Sequence, residues 1–156
     1  MTGEAPRPGT SSESTPPERP RVLVVDDEDL VRLVIGHKLK LAGFDVVEAR
    51  DGLDALARLD GIDVVLTDLN MPRCNGEQLC REIHARPASA TLPIVLMTGG
   101  PIDEARMHAA GCDTVLYKPL PDSLGDHLRA AIRAATEPHR GDPPPRAGRS
   151  ARTPAA

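Results

Sequence analysis

Residues 22–47 read VLVVDDEDLVRLVIGHKLKLAGFDVV, and this stretch decides the architecture. Val22-Leu23-Val24-Val25 is an apolar run too short for a helix and without polar alternation, as expected of a strand buried on both faces. Val31, Ile35, Leu39 and Ala42 then recur at helical spacing, and Gly43 stands where a left-handed stop belongs. Phe44-Asp45-Val46-Val47 begins a second strand. Strand, helix and strand in this order predict parallel strands joined by a right-handed crossover.

The unit repeats along the chain. Val64-Val65-Leu66, Ile94-Val95-Leu96-Met97 and Val115-Leu116-Tyr117 supply three more strands. Leu53, Leu56 and Ala57 mark a second helix, and Leu79, Cys80 and Ile83 a third. An alanine-rich stretch from Ile102 to Ala110, stopped by Gly111, gives the fourth, and Leu124, Leu128, Ala131, Ile132 and Ala135 the fifth. The pattern predicts an α/β fold, a doubly wound five-stranded parallel sheet of order 2-1-3-4-5 with helices on both faces, that is, a flavodoxin-like three-layer sandwich. In that order strands 1 and 3 are neighbours, and ligands bind beyond the carboxyl ends at the switch point.

Length and composition bound the function. The chain has 156 residues, enough for one domain, and is 40% hydrophobic and 27% charged with a net charge of -4, so no global basic field draws it to nucleic acid. No apolar run has spanning length, and the Ser-, Thr- and Pro-rich start has no signal-peptide core, so no membrane role and a cytoplasmic location are expected. Cys74, Cys80 and Cys112 fit neither a disulfide framework nor a metal knuckle and read as packing groups. The histidines His37, His84, His108, His127 and His139 lack zinc-type spacing and read as helix-surface residues. Residues 1–20 and 137–156 are Pro-rich extensions expected to be disordered around one ordered domain, 21–136. Arg140, Arg146, Arg149 and Arg152 in the tail have no interleaved aromatics, which argues for solvation rather than direct nucleic-acid contact.

The polar residues at the strand ends carry the chemistry. Asp26 and Asp27 follow strand 1, Asp68 follows strand 3, Thr98 strand 4 and Lys118 strand 5, so the predicted order gathers them on one edge. Neighbouring strands lie about 4.8 Å apart. Two carboxylates near 4 Å repel by roughly 4 kcal/mol at an effective dielectric of about 20, and one lysine does not compensate three acids. An all-oxygen donor set calls for a hard divalent cation, Mg²⁺. Beside it, a carboxylate can attack an incoming phosphoryl group to give an aspartyl phosphate. Asp68 is the central candidate, with Lys118 and the Thr98 hydroxyl directed at the phosphoryl oxygens and Gly99 and Gly100 leaving room. Taken singly, Asp26, Asp27 and Asp29 also read as caps of the first helix.

Val24-Val25-Asp26-Asp27-Glu28, Thr67-Asp68-Leu69-Asn70-Met71-Pro72 with Asn75-Gly76, Met97-Thr98-Gly99 and Tyr117-Lys118-Pro119-Leu120 closely resemble the motifs of bacterial two-component response-regulator receiver domains. The resemblance covers about residues 20 to 136. It implies that Asp68 is the phosphoacceptor, that Asp26, Asp27, Asp68 and the Asn70 main-chain carbonyl hold Mg²⁺, that Thr98 is the switch hydroxyl and that Lys118 contacts the phosphoryl group. It also implies a cis bond before Pro119. One position departs from the family: Val115 stands where receivers carry a Tyr or Phe three residues before the lysine, and Tyr117 is the candidate substitute.

The function expected is that of a stand-alone receiver, phosphorylated by a sensor histidine kinase or a histidine phosphotransfer protein. It would signal to a downstream protein through the face of helix 4, strand 5 and helix 5, with a homodimer through the same face as a further expectation. No effector domain is expected after Ala135. Two other classes fit less well. A phosphorylation-independent interaction module is supported by Val115, and a Mg²⁺-dependent phosphatase is opposed by Asn70, which cannot act as the acid two residues after the nucleophile.

Overall fold

Each of the five apolar runs forms a strand, and all pair in parallel in the order β2-β1-β3-β4-β5. The computed structural model describes residues 19–136; the two terminal extensions, apart from Arg19 and Pro20, lie outside the described residues. The elements are β1 (Arg21–Val25), α1 (Asp29–Leu41), β2 (Asp45–Ala49), α2 (Gly52–Leu56), β3 (Val64–Asp68), α3 (Gly76–His84), a 3-10 turn (Pro87–Ser89), β4 (Ile94–Thr98), α4 (Glu104–Ala109), β5 (Thr114–Tyr117) and α5 (Leu124–Thr136).

The period of two along each strand divides the core into two layers. Leu23, Val25, Val65, Ile94 and Leu96 face one way, against Ala55 of α2, Leu79 and Ile83 of α3 and Met107 of α4. Val22, Val24, Val64, Leu66, Val95 and Met97 face the other, against Ile35 and Leu39 of α1 and Leu124 and Leu128 of α5. Every residue of β3 and β4 is buried, because helices cover both faces of these central strands. Phe44 fills the end of the second layer, and the Arg129 guanidinium sits 4.6 Å from its ring centroid while donating to the Ala42 carbonyl at 2.7 Å. Gly43, at φ +98°, supplies the left-handed stop after α1.

The three cysteines are free and buried, as packing groups should be. Burial pushes the Cys112 thiol up to about 12 and drives Cys80 upward as well, so neither is ionised at neutral pH.

Three local readings change. The helix α2 is a short one in which Ala55 is buried and Leu53 is exposed, because the Asp51 cap starts the helix at a phase that turns Ala55 to the sheet. The helix α4 starts at Glu104 rather than Ile102, since the Asp103 side chain caps it by accepting from the Arg106 N–H at 3.1 Å. His84 is half-buried rather than a surface residue, its Nε2 lying 2.8 Å from the Leu92 carbonyl. At the other end of the sheet Arg19 pairs with Asp45 at 3.2 Å and the Pro20 carbonyl accepts from Asp45 N–H at 2.9 Å, so the two residues before β1 are tied to the start of β2. Among the described residues no helix is long and apolar enough to cross a membrane.

Candidate functional site

Parallel pairing brings the strand ends to one edge, and with them the residues that the sequence singles out. Asp26 directly follows β1, Asp68 and Thr98 end β3 and β4, and Lys118 directly follows β5. Asp26, Asp68 and Thr98 are 1%, 7% and 1% exposed, while Asp27 stands exposed on the rim. One carboxylate oxygen from each of Asp26, Asp27 and Asp68 lies within 4.8 Å of the others. Lys118 Nζ approaches Asp68 Oδ1 at 3.3 Å and Asp26 Oδ2 at 3.7 Å. Its main-chain N–H donates to the Thr98 carbonyl at 2.8 Å, and the Lys118–Pro119 peptide is cis.

The capping alternative for the acids does not hold. The residue at the start of α1 is Glu28, which makes no side-chain cap, and Asp29 pairs instead with Arg32 at 2.6 Å. Asp26 Oδ1 accepts from the Glu28 N–H at 2.9 Å, which aims the carboxylate across the sheet edge. Arg32 braces this turn from below, donating to the Asp26 carbonyl at 2.7 Å and to Glu48 at 3.1 Å.

The electrostatics ask for a cation. Asp26 Oδ2 is buried and has no hydrogen-bond partner, its one contact being the long ion pair with Lys118. Burial pushes the Asp68 carboxyl above the ordinary range; Lys118 opposes that rise and the nearby Asp26 charge adds to it. A single ammonium faces three carboxylates that supply only oxygen donors. Such a set suits a hard divalent ion.

Thr98 Oγ1 exchanges contacts with Gly100, donating to its carbonyl at 3.2 Å and accepting from its N–H at 3.4 Å. A Cβ added at Gly99 or Gly100 would meet nothing within 4 Å, so the space beside the hydroxyl is open. Val115 is half-buried against the α4 side of the core, whereas Tyr117 is 44% exposed and donates its hydroxyl to Glu104 of α4 at 2.5 Å.

Other parts of the site carry no signal that spacing alone reveals. A Cβ on Gly76 would lie 2.6 Å from the Asp68 carbonyl and 2.9 Å from Leu69 Cα, so only glycine lets α3 begin against the backbone of the central aspartate. The Asn75-Gly76 pair belongs to a quoted motif, but the reason for it is this close approach. Asn75 and Gln78 add a capping box at the same helix start. Glu77, almost buried, bridges Arg81 at 2.6 Å and Arg106 of α4 at 3.0 Å.

A family model described as the response regulator receiver domain matches residues 22–133. The chain belongs to the response regulator receiver domain family. This receiver is 33% identical over 118 residues to the protein PilG of Pseudomonas aeruginosa, a match that covers 73% of this chain and 85% of PilG. It is 36% identical over 119 residues to the sensor protein EvgS of Escherichia coli, covering 73% of this chain but 10% of EvgS. A match to the gliding motility regulatory protein of Myxococcus xanthus likewise spans only 14% of that protein. Among solved structures, the chemotaxis protein CheY4 of Vibrio cholerae superposes with a TM-score of 0.69 at 29% identity, covering 73% of this receiver and 99% of that chain. The chain is thus a receiver with the acidic pocket and lysine of a phosphoacceptor signalling module.

Proposed function

We propose that this receiver takes a phosphoryl group on Asp68 from the phosphohistidine of a sensor histidine kinase or a histidine phosphotransfer protein, and signals by a change in protein–protein binding. The observation that carries the reading is the buried Asp26 and Asp68 pair, joined by Asp27 and faced by Lys118 at 3.3 Å from Asp68. In the transfer an Asp68 oxygen forms the new P–O bond as the P–N bond to the donor imidazole breaks, and the imidazole leaves with the bonding pair and takes up a proton. Lys118 neutralises charge on the phosphoryl oxygens, and the Thr98 hydroxyl can turn from Gly100 to donate to one of them.

Asp26, Asp27, Asp68 and the Asn70 carbonyl would hold Mg²⁺, and the orphaned Asp26 Oδ2 is the atom that most needs it. Bound there, the ion supplies Lewis-acid neutralisation of the transferring group. The location consistent with such partners is the cytoplasm.

The donor's docking surface adjoins the site. On α1, Leu30, Leu33, Val34 and Leu41 are 71%, 61%, 57% and 77% exposed, a second apolar stripe that starts three residues beyond Asp27. A helix of the donor laid along this stripe brings its histidine toward Asp68. The output face is that of α4, β5 and α5, where Tyr117 ties β5 to Glu104 of α4. Phosphorylation draws Thr98 and the adjoining loop toward Asp68, which loosens that tie and changes the surface offered to a downstream protein or to a second copy.

Val115 favours one competing reading, a receiver that binds partners independently of phosphorylation. Partner binding with and without a beryllofluoride phosphoryl mimic separates the two, since only the switching receiver changes affinity, and incubation with acetyl phosphate and Mg²⁺ tests the transfer itself. The wild type gains the mass of one phosphoryl group and Asp68→Ala gains none; no gain on wild type, or an equal gain on Asp68→Ala, rejects the proposal.

A further inference from the structure

The loop from Leu69 to Gly76 carries the Asn70 carbonyl, and its shape is imposed from a neighbouring corner of the fold. Both ends of the loop are pinched together, with Gly76 N–H donating to the Leu69 carbonyl at 2.8 Å. At its tip Cys74 N–H donates to the Pro72 carbonyl at 2.7 Å across Arg73, whose φ is +68°. A three-residue turn with positive φ at its centre is rare and strained. Arg73 is the one non-glycine residue at positive φ among the described residues, and nothing in its side chain favours that backbone.

The partner of the Arg73 side chain is Asp51, in the β2–α2 corner. Its Oδ1 caps α2 by accepting from the Asp54 N–H at 2.8 Å, and its Oδ2 pairs with the Arg73 guanidinium. The hydrogen bond from Asp54 and the pair with Arg73 hold this carboxyl below its usual range, so it is charged at neutral pH. The same corner packs on the loop at a second point. A Cβ on Gly52 would fall 2.4 Å from Cys74 Sγ and 2.8 Å from the Cys74 carbonyl. Corner and loop therefore interlock through residues 51–52 and 73–74.

We infer that Asp51 and Arg73 form a latch that positions the Asn70 carbonyl for Mg²⁺, making both of them positioning residues for the phosphorylation site. The inference rests on the phosphoacceptor reading and adds to it a device outside the acidic cluster. If the latch holds the loop, loss of either partner lets Arg73 relax from its left-handed backbone and carries Asn70 out of place. Glycine at position 73 needs no such restraint, because it occupies positive φ without penalty.

Calorimetric titration with Mg²⁺ alone tests this on the wild type, Arg73→Ala, Arg73→Gly, Asp51→Asn and the Asp51→Asn/Arg73→Gly double variant. Asparagine keeps the helix cap but not the ion pair. Arg73→Ala and Asp51→Asn should each weaken Mg²⁺ binding about tenfold, the usual scale for groups that orient metal ligands. Arg73→Gly should stay within about twofold of wild type, and Asp51→Asn should add no more than about twofold in the glycine background.

Simple charge effects give a different pattern, since removing a cation near a cation site tightens binding whereas removing an anion weakens it. Binding by Arg73→Ala as tight as wild type or tighter overturns the latch, as does an undiminished Asp51→Asn effect in the glycine background. Failure of the wild type itself to bind Mg²⁺ would instead overturn the phosphoacceptor reading, and this inference with it. Amide NMR shifts at Asn70 and Met71 in the metal-free variants provide a second readout; unchanged shifts in Arg73→Ala would also overturn the latch.

Discussion

Replacing Asp68 by asparagine should stabilise the metal-free protein. Asp68 sits within 4.8 Å of oxygens on both Asp26 and Asp27, so each pair repels by roughly 3.5 kcal/mol at an effective dielectric of about 20. Lys118 at 3.3 Å returns roughly 5 kcal/mol on the same scale, which leaves a modest net repulsion even after the exposed Asp27 is discounted for screening. Desolvation of a carboxylate that is 7% exposed adds to it. Asp68→Asn keeps the shape, removes one charge and leaves Lys118 its contact with Asp26, so the expected gain is about 1–2 kcal/mol, a rise of roughly 3–8 °C in Tm.

Because the folded pKa of Asp68 is raised, its ionisation lowers stability as pH climbs from the ordinary Asp value through the folded one. The gap between variant and wild type therefore closes as pH falls below about 4. Saturating Mg²⁺ reverses the order at neutral pH, since free ion at a hundred times its Kd adds about 2.7 kcal/mol to the wild type and far less to a variant lacking one ligand charge. Thermal denaturation in EDTA and in Mg²⁺ reads both effects. A variant less stable than wild type in EDTA, or an equal Mg²⁺ shift in both proteins, refutes the argument.

Gly76→Ala should lower stability by about 2–4 kcal/mol in urea denaturation, because the new Cβ meets backbone rather than a movable side chain. Glu77→Gln should cost about 1 kcal/mol at neutral pH. Burial raises the Glu77 carboxyl but the hydrogen bonds from Arg106 and Arg81 more than reverse it, so its contribution is present above the ordinary Glu range and vanishes as pH falls through the lower folded value. A stability difference that persists unchanged at pH 3 would contradict that assignment. Leu30→Ser with Leu33→Ser should leave stability within about 0.5 kcal/mol and labelling by acetyl phosphate unaltered, yet slow phosphotransfer from a histidine donor; equal transfer rates would remove α1 as the docking face.

The strands were legible because each holds a short apolar run, buried on both sides in the inner strands β1, β3 and β4, a pattern that survives without knowledge of partners. Alternation of strand and helix then implied the sheet order, and with it the meeting of Asp26, Asp68, Thr98 and Lys118. The arrangement of α2 was harder to read, since Leu53 and Ala55 compete for one inward position in a five-residue helix and the cap at Asp51 decides between them. Long-range polar pairs away from the strand ends were not legible. Asp51 with Arg73, and Glu77 with Arg106, join residues 22 and 29 positions apart through side chains that have no periodicity to announce them. The same holds for Gly76, whose neighbour across the gap is the carbonyl of Asp68.

The parallel sheet also has a practical side. Its strands all run toward the reactive edge and its helices run back, so Arg19, tied to the Lys40 carbonyl at 3.1 Å, and Thr136, at the close of α5, both belong to the opposite edge. Strands of five residues separate the two edges by about 17 Å. A surface tether, a dye or a fused protein joined at either of these points leaves the aspartates open to solvent and to a visiting histidine.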